Sequence, residues 1–373
     1  MTELTIDKAG SKGGGDLGGD RSPRGWVGSG TLVDTLGRFG LPVLLVVVAV
    51  AFSLLRPESY GQWSNFRAIF DQQSIVALVA LAVMVPLIVG EFDLSAAANA
   101  GLANILVVGF CQKQGIDWPL AFALAIAAST VIGIANGLIV GLLKVNSFIA
   151  TLGMSTMIIG IGLLYTGEVD ITGAPEGLTN FGRGSVGPIS TATVYALVIA
   201  LVVLLVCQFL PAGRKMTAVG ANRDAARLTG LSINRYVIGC FAASGLIAGF
   251  AGAMFGAKLG GAVAGGSGSA FLLPAFAAAF LGSTAFTPGR YNVLGTIVAV
   301  LFLALLVSGL QIVGVKPWIQ PIVNGGALIV AVALSAWASR LRIANLKREQ
   351  LVALRRKEEE AAAGAGAGVS LGG

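Results

Sequence analysis

Histidine is absent from the 373-residue chain, which removes the commonest general base, the commonest metal ligand and the usual pH switch. Cysteine is nearly absent too. Cys111, Cys207 and Cys240 stand singly, without the CxxC spacing of a zinc site or redox pair, and they read as small buried hydrophobes. Charged residues make up only 12%, against about 25% in soluble domains, so a water-soluble globular fold is excluded. No GxxxxGK followed by Ser or Thr occurs, so the chain has no phosphate loop with which to hydrolyse ATP. No catalytic constellation is evident either. No catalytic residue, metal or bound cofactor is expected, and the chain is not read as an enzyme.

What is present is apolar length. Hydrophobic residues make up 55% and mean hydropathy is +0.84. The few charges leave ten long charge-free intervals: 39–55, 72–90, 94–112, 118–143, 145–167, 184–213, 236–257, 259–289, 291–315 and 317–339. Crossing about 30 Å of hydrocarbon takes roughly 17–25 residues at 1.5 Å per residue, so each interval is long enough. Lipid offers the backbone no hydrogen-bond partner, and barrel strands would need alternating segments of about ten residues instead. The fold class is therefore an all-α polytopic membrane protein with about ten transmembrane helices. The first apolar run begins at Phe39 and exceeds the length of a signal-peptide core, so no cleavable signal is expected.

Basic residues favour the cytoplasmic side. With both termini inside, 19 Lys and Arg residues face the cytoplasm and 6 face out; the reverse topology inverts that ratio. The net charge of +7 then reads as topology and contact with anionic lipid, not nucleic-acid binding. Three regions follow. Residues 1–38 are expected to be a disordered cytoplasmic tail, since their Gly-rich polar composition buries too little to order itself. Residues 39–339 form the membrane domain, and 340–373 a second cytoplasmic tail, with a short helix running into low complexity.

Within the membrane domain, 96–109, 132–141 and 244–257 are rich in Gly, Ala, Ser and Asn, which permits close helix contact. The interval 259–289 opens with a glycine-rich stretch and contains Pro274; a broken or re-entrant helix is expected there.

Two segments stand out. Gly90-Glu91-Phe92-Asp93-Leu94-Ser95 puts two acids and no base between apolar runs. It reads either as a tight solvated turn with Asp93 capping the next helix or as a polar hinge facing a pore. Residues 213–235 form the only long cytoplasmic loop between spans. There Asn222 can N-cap a short helix, Asp224 complements its positive end and Gly230 suits the position after it. Small Ala225 and Ala226 beside Arg223 and Arg227 would fit a groove on a partner protein, although a solvated loop helix accounts for them as well. Amide and hydroxyl groups in spans must pair or face water. Asp93, Ser95, Asn99, Asn136, Asn146, Phe148 and Thr151 are accordingly candidates for a translocation path, with interhelical hydrogen bonding as the competing role.

The ordered set Asp93-Leu94-Ser95, Asn136-Gly137-Leu138, the run VNSFIATLG at 145–153 and the run AVGANRDAARLTG at 218–230 resembles the permease subunit of ribose-type sugar ABC importers over about residues 40–340. The resemblance implies a type II importer architecture in the plasma membrane. It implies a second permease copy, in a homodimer or heterodimer, cytoplasmic ATPase subunits that bind the ATP, and an extracytoplasmic solute-binding protein. It places Gly220, Asn222, Arg223, Asp224, Ala225, Ala226, Arg227 and Gly230 in the segment that couples to the ATPase. The family's usual Gly-Gly before Ile-Asp-Leu-Ser is Gly90-Glu91-Phe92 here, and its acidic string near the eighth span is replaced by the run LLPAFAAAFL at 272–281. The expected function is import of a sugar or sugar-like solute. Two alternatives are a branched-chain amino acid ABC permease and an ion-coupled secondary transporter, which would want acidic or His residues within its spans.

Overall fold

The computed structural model describes residues 30–265 and 268–334, with the backbone alone over 30–37. Residues 1–29 and 335–373, which hold nearly all of both expected tails, lie outside it. Thirteen helices are described: α1 (Gly30–Leu55), α2 (Trp63–Ile88), α3 (Ser95–Gln114), α4 (Trp118–Gly141), α5 (Ser147–Thr166), α6 (Glu176–Arg183), α7 (Thr191–Leu204), α8 (Pro211–Ala221), α9 (Arg223–Leu228), α10 (Ile233–Leu259), α11 (Ser269–Gly282), α12 (Val293–Ile312) and α13 (Ile319–Leu334).

Each charge-free interval holds one apolar helix. Eight of them are long and apolar enough to cross a membrane: α1 to α5, α10, α12, and α7 together with the π-helical turn Leu205–Phe209 that continues it to 19 residues. The interval 259–289 spends its first residues on a left-handed Gly260 and strand β4 (Gly261–Ala262), so α11 is left with 14 residues. A broken element was expected there, and Pro274 lies inside a continuous helix instead of ending it. Helix α2 begins nine residues before its charge-free interval, so Arg67 and Asp71 ride on its first turns, where a long polar side chain can reach water.

Glycine sets the centre. A Cβ on Gly252 of α10 would lie 1.8 Å from the Ala100 carbonyl oxygen of α3, and one on Gly245 would lie 3.0 Å from the Cα of Gly133 on α4. Backbones meet at these points, as the small-residue runs predict. Helix α10 packs on α4, α3 and α2, and α3 is the most enclosed span, with 83% of its window buried. By contrast only 6% of the α1 window is buried. That helix leans on α12, where the Phe52 ring fills the space beside Gly309 and the Tyr60 hydroxyl donates to the Leu305 carbonyl at 3.0 Å.

The ends of the bundle differ. At one end lie the α2–α3 turn, helices α8 and α9 and the start of α10. At the other, β1 (Ile171–Thr172) pairs antiparallel with β4, the hairpin β2 (Ser185–Val186) and β3 (Ile189–Ser190) follows α6, and Lys258 of α10 pairs with Asp71 of α2 at 2.9 Å.

Candidate functional site

Helix α2 ends in a tight αL cap. Gly90 has φ +80°, its N–H donates to the Leu87 carbonyl and the Glu91 N–H donates to the Pro86 carbonyl, both at 3.1 Å. This six-to-one and five-to-two pattern satisfies the carbonyls a helix end leaves open, and it needs glycine at the left-handed position. The chain then turns abruptly into Glu91, Phe92 and Asp93.

Asp93 is buried and fully partnered. Its Oδ1 accepts from the Ser95 N–H at 3.1 Å and the Ser95 hydroxyl at 2.6 Å, and its Oδ2 accepts from the Ser244 hydroxyl of α10 at 2.7 Å. Burial pushes the carboxyl above its ordinary range, and the hydrogen bonds from Ser95 and Ser244 oppose that rise. The other polar residues of this end bond in separate groups. The Asn136 amide donates to Ser95 Oγ at 2.7 Å, and Asn99 donates to the Ser129 carbonyl at 2.9 Å. On α5, Ser147 Oγ accepts from the Phe92 N–H and Thr151 Oγ1 from the Leu94 N–H, each at 3.1 Å. Asn146 caps α5 by accepting from the Phe148 N–H at 3.0 Å. Among the described residues, Asn99 Oδ1, Ser129 Oγ and Asn136 Oδ1 are buried acceptor or hydroxyl groups left without a partner, each a cost to the fold.

The seven path candidates therefore sit together at one end of the bundle. Asp93, Ser95, Asn99, Asn136 and Thr151 are buried among α3, α4, α5 and α10, whereas Phe148 of α5 is 49% exposed. A second aromatic was not singled out from sequence. Phe92 stacks near Phe276 and Phe280 of α11, with ring centroids 6.5 and 6.3 Å away.

The loop at 213–235 is more structured than a single short helix. Pro211 opens α8 from its first position, where the missing N–H costs nothing, and a Cβ on Gly220 would lie 2.0 Å from the Ile88 carbonyl oxygen, so α8 lies directly on the end of α2. Asn222 then N-caps α9, accepting from the Asp224 and Ala225 N–H groups at 3.0 Å, and Gly230 follows the helix at φ +80°. Ala226 turns inward. Asp224, Ala225 and Arg227 face out.

The two segments read separately from sequence are joined. The Arg223 guanidinium donates to the Val89 carbonyl at 3.2 Å and forms an ion pair with Glu91. The partners are 132 positions apart. Only the charge imbalance of the Glu91 turn hinted that a base must come from elsewhere.

Comparison with known proteins bears on this arrangement. A family model described as "branched-chain amino acid transport system / permease component" matches residues 65–332, from α2 into α13. The chain belongs to this permease family. Among curated relatives, the permease is similar to the ribose import permease protein RbsC of Bacillus subtilis, 33% identical and covering 81% of this chain and 93% of the relative. It is also similar to the galactose/methyl galactoside import permease protein MglC of Haemophilus influenzae, 30% identical over 79% and 92% of the two chains. The D-allose transport system permease protein AlsC of Escherichia coli is 28% identical over 81% and 93%. No solved structure matches. The permease is thus a multi-pass plasma-membrane transporter subunit, and the ion-coupled alternative falls away.

Proposed function

We propose that this permease carries a sugar or sugar-like solute inward, as one of two membrane subunits driven by cytoplasmic ATPase subunits and fed by an extracytoplasmic solute-binding protein. The observation that carries this reading is α9, a capped six-residue helix presented at the surface and tied through Arg223 to the turn that holds Asp93. A helix so placed can pass movement of a docked ATPase into the bundle. The three relatives named above are, by name, permeases for ribose, galactose and allose, which favours a sugar over a branched-chain amino acid.

In this reading both termini, α8 and α9 are cytoplasmic, and Gly220, Asn222, Arg223, Asp224, Ala225, Ala226, Arg227 and Gly230 make the coupling segment. The inner gate lies around Asp93, Ser95, Asn99, Asn136, Asn146, Phe148 and Thr151. Phe148 presents its ring to the path, and the buried polar groups set the position of α5 behind it. Alternating access then amounts to a shift of α5 and the α2–α3 turn, which Ser147 and Thr151 hold together, against α10 across the Ser244–Asp93 hydrogen bond.

The test is reconstitution of the permease with its ATPase and binding protein in liposomes, supplying labelled D-ribose, D-galactose, D-allose and L-leucine. ATP-dependent accumulation of a sugar supports the proposal. Accumulation of leucine alone would move the assignment to amino acids, and no ATP-dependent uptake of any solute would defeat it.

A further inference from the structure

At the end of the bundle opposite α9, a cavity of about 520 Å3 opens between α2, α11, α12 and α13. That lies within the roughly 300–1,000 Å3 of small-molecule sites. Its polar wall is built from Gln72 and Gln73 on α2, Ser308 and Gln311 on α12, and Gln320 and Asn324 on α13. The spacing is that of single helix faces: Ser308 and Gln311 are three apart, Gln320 and Asn324 four apart. No Asp, Glu, Lys or Arg lines the cavity.

Among the described residues, the side chains of these five amides and of Ser308 make no hydrogen bond to another protein group, whereas Asn65, which also lines the cavity, donates to the Tyr60 carbonyl at 3.1 Å. Asn324 is 7% exposed. A buried amide normally finds partners, because leaving it without any costs about as much as a lost hydrogen bond. Asn324 is the buried one of the set; Gln73 and Ser308 are half-buried, Gln72, Gln311 and Gln320 are exposed at the mouth, and three helices turn these groups toward one space to which Phe271, Pro274, Val300 and Leu303 give an apolar floor. Each amide offers both a donor and an acceptor, so the wall matches a ligand whose every polar group is also both. Hydroxyls have that property. A zwitterionic amino acid would bring a carboxylate and an ammonium into a wall with no counter-charge, at a steep desolvation cost.

We infer that this cavity is a binding site for a neutral polyhydroxylated solute, which it holds at the end of the permease remote from the coupling segment. The inference rests on the sugar reading above and adds a location and a chemistry of recognition to it. Solute released by a binding protein would meet the amide wall before it reached the gate around Asp93.

The test is saturation-transfer NMR on the full chain in lipid nanodiscs, with D-ribose, D-galactose, D-allose and L-leucine as probes. At least one sugar is expected to give signal and leucine none, and the Gln72→Leu/Gln311→Leu variant is expected to bind that sugar roughly tenfold more weakly, or worse, for two lost hydrogen bonds. Gln72→Asn/Gln311→Asn should retain part of the signal. Should the leucine variant lose its thermal transition, Ser308→Ala and Asn324→Ala, which remove less, answer the same question by the same readout. Absence of any sugar signal on the wild-type chain, equal signal from leucine, or unchanged sugar binding across the folded variants overturns the inference. ATP-driven sugar uptake that survives loss of cavity binding refutes this site alone, whereas intact cavity binding without any ATP-driven uptake refutes the importer reading alone.

Discussion

Arg223 of α9 and Glu91 of the α2–α3 turn are held together side chain to side chain, with 45% of the arginine side chain but only 9% of the carboxylate exposed. The pair is asymmetric. Removing the arginine strands a shielded acid, while removing the acid leaves an arginine free to turn to water. Arg223→Ala should therefore cost more stability than Glu91→Gln, by about 1–2 kcal/mol for a charge-assisted bond at a half-exposed site. Both should lower uptake per ATP hydrolysed in reconstituted complexes. Equal melting temperatures for the two variants, with uptake per ATP unchanged, would show the pair to be ornamental.

Arg227 is exposed on α9, and its side chain makes no hydrogen bond among the described residues. Arg227→Glu should leave the permease folded, because the site faces water. It should uncouple ATP hydrolysis from uptake, since a reversed charge against a partner's groove costs several kcal/mol where like charges meet. Normal transport with wild-type ATPase stimulation would remove α9 from the coupling path.

Orientation is open to direct test. After replacement of Cys111, Cys207 and Cys240, single cysteines at Ser11 and Ser370 should be protected from an impermeant thiol reagent in intact cells. A cysteine at Glu176, the first residue of α6, should be labelled. The opposite pattern would invert the arrangement of 19 inner and 6 outer basic residues.

Asn136 and Phe148 should respond differently. Asn136→Ala removes the donor to Ser95 Oγ in a fully buried setting, so it should lower stability by about 1–2 kcal/mol as well as impair uptake. Phe148→Ala, at a half-exposed ring, should leave the melting temperature near wild type and either abolish uptake or permit leak without ATP. Wild-type uptake by both variants would place the gate elsewhere.

Gly252→Val should be severe. Even its Cβ would lie 1.8 Å from the Ala100 carbonyl oxygen, and overpacking of a tight core costs at least about 1–3 kcal/mol. Thermal unfolding in detergent should show a lowered transition or no folded protein, and a wild-type transition would contradict the α3–α10 contact.

Much of this was legible because lipid is an unforgiving solvent. Excluding charge from hydrocarbon marks where each helix lies, so the ten apolar helices appear as charge-free intervals, although α2 starts nine residues ahead of its own. Asn222 and Gly230 could be read because a helix start wants a side-chain acceptor and a left-handed residue wants no Cβ. Helix α8 is hidden by its polarity, since only Met216 and Val219 give it an apolar stripe into the core and Gly220 sets it against Ile88. The link from Arg223 to Glu91 is a property of tertiary structure alone. The amide wall is not legible from charge, because glutamine and asparagine carry none, although the spacing of Ser308 to Gln311 and of Gln320 to Asn324 marks two helix faces.

Helix α11, with 14 residues, has a consequence for biogenesis. A segment that cannot reach across the bilayer on its own has little reason to leave the insertion machinery as an independent unit. It must wait until α3 and α12 are present to shelter its ends, with Gly268 set against the Ala97 carbonyl and Gly282 against Gly295. Assembly of this permease thus has an order imposed on it: the long helices partition first, and α11 is drawn in last, as the piece whose membrane solvent is the protein itself.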